Sequence, residues 1–304
     1  MAPQKRRRPE KARAKARPYA ALLLLMLLPS PAAGAGDAER GRVLFALAGG
    51  CGCHSGADGP IGAGGPAITT PFGTFYGTNI TPDDETGIGR WSDAEIVAAI
   101  RDGYARDKGV EAPVMPYPLY AGMADQDVED LVAYLRTLPA VRRENRPAEV
   151  SLPFPRLAYR AWRLLFAPRA TAPPTAPTEP LARGRYLADH VAICTDCHTP
   201  RTRAGALDDA LYLAGTDDGP DDESVPNITP DPDTGLAKWT ENNFVQLLQS
   251  GMKPNMDNVQ GLMADVIDGV GGGPGYGQAP ESELRSIAKY LKTVAPIRHE
   301  VGGD

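Results

Sequence analysis

"ICTDCHTP" (193–200) sets Cys194 and Cys197 three residues apart and puts His198 directly after the second. C-x-x-C-H is the attachment pattern of a c-type haem. Two thiols reach the two vinyl groups of the macrocycle, and the imidazole reaches the proximal face of its iron. In an exported chain four cysteines also suit two disulfides, and a bare C-x-x-C suits a redox dithiol or half a zinc site. The adjacent histidine disfavours all three.

A second, shorter version lies upstream. "AGGCGCHSG" (48–56) carries Cys51, Cys53 and His54, with one residue between the cysteines instead of two. It is preceded by Arg40-Gly41-Arg42, as the full motif is preceded by Arg183-Gly184-Arg185. Counted forward from the arginines Cys51 falls on Cys194, and counted back from the histidine Cys53 falls on Cys197. This reads as one residue deleted between the cysteines of the first copy. The shortened arc predicts haem held by His54 and Cys53, with the Cys51 thioether strained or unmade.

The duplication continues along the chain. "NITPDDETGIGRW" (79–91) matches "NITPDPDTGLAKW" (227–239) without a gap, and "DVEDLVAYLRTLPAVR" (127–142) parallels "ELRSIAKYLKTVAPIR" (283–298). Two copies of one domain are expected, at 37–143 and 178–304. Residues 144–177 link them, ending in the extended, proline-rich "TAPPTAPTEP" (171–180).

The fold class read from periodicity is all-α. Ser92 and Glu95 form a capping box ahead of Ile96, Ala99 and Ile100, and Phe244, Leu247 and Leu248 take the corresponding place in the second copy. Val128, Leu131, Val132 and Leu135, then Leu284, Ile287, Ala288 and Leu291, recur at helical spacing and are read as core. The 33 glycines and 30 prolines fit loop-rich domains that take part of their apolar core from a large cofactor.

The repeat also nominates distal iron ligands. Gly103 aligns with Gly251, and twelve residues beyond each stands a methionine, Met115 and Met263. Met123, Met252 and Met256 have no methionine counterpart. A thioether opposite histidine is a soft ligand that raises the reduction potential; the plain alternative is adaptable core filler. His190 and His299 have no partner in the other copy and read as surface or packing residues. Trp91 and Trp239 recur and read first as packing, second as indole donors to a propionate. Asp231, Asp233 and Gly235 lack the full acidic pattern of a calcium loop. The sequons at Asn79 and Asn227 are shared by both copies, so structure explains them better than glycosylation. "GVGGGPGYGQ" (269–278) has neither the lysine nor the preceding strand of a phosphate loop.

Residues 1–35 read as an export signal: eight basic residues between Lys5 and Arg17, an apolar run from Ala20 to Leu28, and a small-residue cleavage site at Ala33-Gly34-Ala35. Nine apolar residues are too few to span a bilayer, which takes roughly 20. The expected location is therefore the periplasm; retention of the segment as an anchor is the alternative. Its removal leaves 24 basic and 37 acidic side chains, a formal charge of −13. That excludes nucleic acid as a natural partner.

The two haem motifs, "NITPD…TG…W", "VMPYPLYAGMADQDVEDLVAYLRTLP" (114–139) and "GLMADVI" (261–267) with "IAKYL" (287–291) together resemble the cytochrome c subunits of membrane-bound alcohol and gluconate dehydrogenases. The similarity spans essentially the whole chain after residue 35. It implies two tandem cytochrome c-type haem domains and two covalent haem c groups, with Met115 and Met263 as axial ligands. Such subunits typically carry three haem domains and pass electrons from a dehydrogenase to a quinone or a later carrier; this chain has two. Electron transfer is thus expected, with a dihaem oxidoreductase of peroxidase or thiosulfate dehydrogenase type, one haem catalytic, as the alternative. Finally, "LPFPRLAYRAWRLLF" (152–166) mixes Leu157, Trp162, Leu165 and Phe166 with Arg156, Arg160 and Arg163. A helix from Pro155 is expected either to brace the two domains or to meet a membrane or partner surface through Trp162 and Phe166.

Overall fold

The computed structural model describes residues 36–302, apart from 58, 107, 168–171, 221 and 222, together with Met1. The expected export signal, residues 1–35, therefore lies outside the described residues save Met1. Residues 35–304 form one compact unit. No helix among the described residues is long and apolar enough to cross a membrane.

Helices dominate, and their ends are where the side chains put them. Asp37 caps α1 (Ala38–Leu47) by accepting from the Glu39 and Arg40 amides. The Ser92–Glu95 capping box starts α2 (Asp93–Asp102), which stops at left-handed Gly103. A short α3 (Tyr117–Tyr120) leads into α4 (Asp125–Leu135). Then come α5 (Pro155–Phe166), α6 (Pro180–Tyr186) and a single helical turn, α7 (Cys194–His198). Thr240 and Asn243 repeat the capping box at α8 (Glu241–Ser250), which stops at left-handed Gly251 as α2 stops at Gly103. The chain closes with α9 (Gly261–Asp268) and α10 (Glu281–Leu291).

Two small antiparallel sheets qualify the all-α expectation. Strands β1 (Ala67–Thr70) and β2 (Gly73–Tyr76) form a hairpin with Ala67 opposite Tyr76, and β2 also pairs with β5 (Glu149–Val150). Strands β3 (Tyr104–Ala105) and β4 (Gly109–Val110) make a two-residue ladder between α2 and α3. These strands are too short to carry a period-two pattern that sequence could reveal.

In each half the first helix packs on the closing helix: α1 on α4, and α6 on α10. The predicted stripes lie inside: Val128, Leu131, Val132 and Leu135 with Leu44, Phe45 and Leu47, and Leu284, Ile287, Ala288 and Leu291 with Leu187 and Val191. A fully buried Leu or Ile contributes about 1.5–3 kcal/mol. All these residues belong to one continuous apolar cluster, so the halves share a core.

Polar contacts join the halves as well. The Tyr186 hydroxyl accepts from the Ala124 amide at 2.9 Å and donates to Asp127 at 2.8 Å. The Arg183 guanidinium reaches both Glu283 and Asp127. His190 Nδ1 donates to the Leu119 carbonyl at 2.9 Å, and its ring fills the space a side chain at Gly122 would occupy. Packing, one of the two readings given for His190, is its role. Within the proline-rich segment, the carbonyls of Pro173 and Pro174 accept from the amides of Asp125 and Gln126 at the start of α4.

Candidate haem-attachment sites

The histidine of each motif is pinned the same way. His54 Nδ1 donates to the Thr78 carbonyl at 2.8 Å, and His198 Nδ1 donates to the Pro226 carbonyl at 2.9 Å. Burial holds both imidazoles below their ordinary pKa, with the carbonyl contact opposing it. With Nδ1 committed as donor, Nε2 of a neutral ring keeps its lone pair for a metal, the usual outer-shell support of a ligating histidine.

The repeated N-I-T sequence exists to fix those carbonyls. Asn79 Nδ2 donates to Thr86 Oγ1 and the Val141 carbonyl, while its Oδ1 accepts from the amide and hydroxyl of Thr81. Asn227 does the same with Thr234, Ile297 and Thr229. Both asparagines are 3% exposed, which suits this tie and not a glycan. Asp231 is likewise spent within its own loop, accepting from the Thr234 amide and hydroxyl and the Asp233 amide, the counterpart of Asp83 with Thr86. His299 Nδ1 donates to the Ala214 carbonyl at 3.0 Å, a packing contact.

The cysteine segments diverge. In the second half the α6 helix runs into a π turn, Leu187–Val191, and the Ala192 amide donates back to Leu187 at 2.7 Å. In the first half the Ala48 amide donates to Leu44 at 2.8 Å in ordinary α fashion. A π turn absorbs one extra residue without moving the helix ends. Ala48 and Ala192 therefore correspond, followed in each half by one left-handed residue, Gly49 (φ 65°) and Ile193 (φ 43°). From there to the histidine the two segments are equally long. The extra residue of the second half sits upstream in the helix, not between the cysteines as counting from the arginines suggests. Gly50 takes the place of Cys194, and Cys51 that of Thr195.

The local geometry agrees. Cys194–His198 is a regular helical turn, whereas Gly50 (φ 64°) and Cys51 (φ 47°) are both left-handed. Cys51 packs against the core, and Cys53 is exposed. Burial pushes the thiols of Cys51 and Cys194 up to about 12 and raises that of Cys197 too, so all three are neutral at pH 7.

Two buried tyrosines, Tyr120 and Tyr276, stand at equivalent places, each five residues before its closing helix. Tyr120 lies within electrostatic reach of Cys51, Cys53, Asp196 and Cys197, and Tyr276 within reach of Cys194, Cys197 and Tyr120. Cys53 and Cys197 also sense one another. The two motifs thus lie near one another in the fold, which nothing in the linear sequence announces.

Met115 and Met263 both line the apolar cluster, partly buried. Met123 is fully buried within the core. Of the competing methionines in the second half, Met256 is 76% exposed, and the Met252 sulfur accepts from Gln246 Nε2 at 3.0 Å. Trp91 and Trp239 pack at the cluster's margin, their carbonyls held by Arg136 and Lys292. The donor set suits an iron porphyrin: neutral imidazoles with oriented rings, soft sulfurs on apolar walls and thiols beside the histidines. Two buried hydroxyls among the described residues lack partners, Thr195 Oγ1 inside the second motif and Tyr117 Oη two residues past Met115. A polar group of a bound ligand would give such hydroxyls a partner.

Comparison with known proteins agrees with this chemistry. A cytochrome c family model matches residues 38–139. A protein of Cereibacter sphaeroides described as "Diheme cytochrome c-type" is 38% identical over 272 residues, covering 86% of this chain and 86% of its own. The gluconate 2-dehydrogenase cytochrome c subunit of Pantoea cypripedii is 37% identical over 84% of this chain and 59% of its own length. The fructose dehydrogenase cytochrome subunit of Gluconobacter japonicus is 35% identical over 86% of this chain and 53% of its own. The chain thus spans little more than half of these two subunits.

Proposed function

Because the chain belongs to the family of c-type cytochromes that includes these dihaem and dehydrogenase-subunit proteins, we propose that it is an exported two-haem electron carrier serving a dehydrogenase. Covalent haem c comes with the family; two haems per chain, on tandem domains at 37–143 and 178–304, is our reading of the duplicated site. The first haem is assigned to the 51–54 segment, with His54 proximal and Met115 distal. The second is assigned to Cys194 and Cys197, with His198 proximal and Met263 distal. The haem supplies a reversible one-electron couple when bound.

The chain's own contribution is orientation and potential. The Thr78 and Pro226 carbonyls hold the imidazoles in one tautomer and one plane. Thioether ligation from methionine and an apolar surround favour the reduced state. The observation that carries the proposal is the same pinning of His54 and His198 through Nδ1 beside the cysteines of each motif, which suits a pair of equivalent haem sites within one core. We assign the donor as a dehydrogenase, the acceptor as a quinone or later respiratory carrier, and the location as the periplasm.

Production in a host that exports and attaches haem tests this. The mature chain should gain the mass of two haems and, once reduced, should bind carbon monoxide at neither site. Carbon monoxide binding at one site points instead to the dihaem oxidoreductase.

The exposed face of α5 belongs to the same proposal. Trp162 Nε1 donates to the Ala204 carbonyl at 2.8 Å, Trp162 stacks on Phe166, and Arg163 lies over the Tyr117 ring. Those contacts suit the bracing alternative for this side of the helix. Leu157, Leu164 and Leu165 are 67–85% exposed on the opposite side, with Arg156 and Arg160 beside them. On an acidic protein this basic, apolar face suits an anionic membrane surface.

A further inference from the structure

We propose that the first haem is held by one thioether, from Cys53, and that Cys51 remains a thiol. The inference rests on the assignment of a haem to residues 51–54 and deepens it.

The argument is one of register. With Ala48 matched to Ala192 and His54 to His198, the position that delivers the first thiol in the second half is occupied in the first half by Gly50. A cysteine cannot simply stand there. Gly50 is left-handed at φ 64°, and a Cβ on it would come within 2.9 Å of the Pro274 carbonyl oxygen, closer than such contacts are tolerated. Pro274 belongs to the glycine-rich stretch of the second half, which covers this segment: Val270 approaches Gly52, and Gly273 lies against Ile61. Position 50 is therefore crowded by that stretch.

Cys51 does not replace the missing thiol. Residues three apart on a helical turn share a side, as Cys194 and Cys197 do, whereas residues two apart do not. Cys51 corresponds to Thr195, the buried residue between the second pair, and it packs into the core while Cys53 is exposed. Cys53 keeps the place of Cys197, directly before the pinned histidine.

The bond-forming step is a thiol addition. The Cys53 sulfur bonds to one carbon of a vinyl group, the thiol proton ends on the other, and the vinyl double bond is consumed. No oxidant or reductant enters. The other vinyl group stays intact at this site, whereas Cys194 and Cys197 consume both at theirs.

Because addition conserves atoms, intact mass cannot distinguish one thioether from two; thiol counting can. The haem-loaded, exported protein is unfolded, alkylated with iodoacetamide and digested. One alkylated cysteine, Cys51, on a peptide that still carries haem is expected. An unmodified Cys51 on that peptide, or alkylation of Cys53 in place of Cys51, overturns the proposal. Alkylation of both cysteines on a haem-free peptide overturns it together with the assignment of a haem to this segment. In variants, Cys51→Ser should keep two covalent haems and an unchanged pyridine haemochrome spectrum, and Cys53→Ser should keep one. Loss of covalent haem from Cys51→Ser also overturns the proposal.

Discussion

The two halves agree to about a tenth of an ångström in how they hold a histidine and disagree in how they present cysteines. His54 and His198 are pinned at 2.8 and 2.9 Å by carbonyls that two identical asparagine–threonine ties hold in place. Yet one attachment segment is a helical turn behind a π bulge, and the other is a left-handed run behind a plain α-helix. Ligand orientation decides whether the site works at all, so it is preserved. A second thioether adds retention to a group already anchored by one, so its register is free to drift.

The largest test of the shared part is removal of the ties. Asn79→Leu and Asn227→Leu each leave several buried partners unmatched, at about 1–3 kcal/mol for each group left without one. Denaturant unfolding should show a loss of about 3 kcal/mol or more for each variant. A difference above about 1 kcal/mol between them would break the equivalence of the halves.

Next in size is the distal ligand. Met115→Leu and Met263→Leu should each remove about half of the weak red charge-transfer absorption of methionine-ligated ferric haem and lower one of two potentials. A shift on the order of 100 mV corresponds to about 2 kcal/mol. If Met263→Leu leaves the absorption untouched, Met252 becomes the second-half ligand, since Met256 is mostly exposed.

Acid should separate the halves more gently. Asp130 is buried, which alone raises its pKa, but hydrogen bonds from Arg40, the Asp37 amide and Gln126 outweigh that and hold it below the usual carboxylate range. A depressed folded-state pKa gives stability that is present above the unfolded value, about 3.9, and lost as pH falls through the folded one. Stability should therefore fall below about pH 4, and Asp130→Asn should flatten that part of the pH profile. Its counterpart is Ser286, so the second half has no ionisation to lose at that position.

The smallest effect on stability should come from α5. Leu157, Leu164 and Leu165 replaced by serine should change unfolding by less than about 0.5 kcal/mol, as surface changes do. The same variant should no longer sediment with vesicles containing anionic lipid. Retained sedimentation would place the membrane contact elsewhere.

What sequence could tell depended on whether the signal was local. The Ser92–Glu95 capping box, the apolar stripes of α4 and α10, and C-T-D-C-H were readable because neighbours within a turn or two create them. The tie made by Asn79 and Asn227 was visible as a repeated motif, but its purpose was hidden, since Thr78 and Pro226 act through backbone carbonyls that any residue supplies. The π turn was invisible because its extra residue lies in an ordinary helical run, and this misplaced the apparent deletion. His190 and Trp162 were left open because their partners, Leu119 and Ala204, lie far off along the chain.

The imidazole of His190 seated over Gly122 has an evolutionary meaning. A copy made by duplication begins as an interchangeable part, each half able to stand where the other stands. Here the second half carries a ring that fills the place of a side chain at Gly122 of the first, so each half is shaped to the other. What began as two spare parts has become a left and a right.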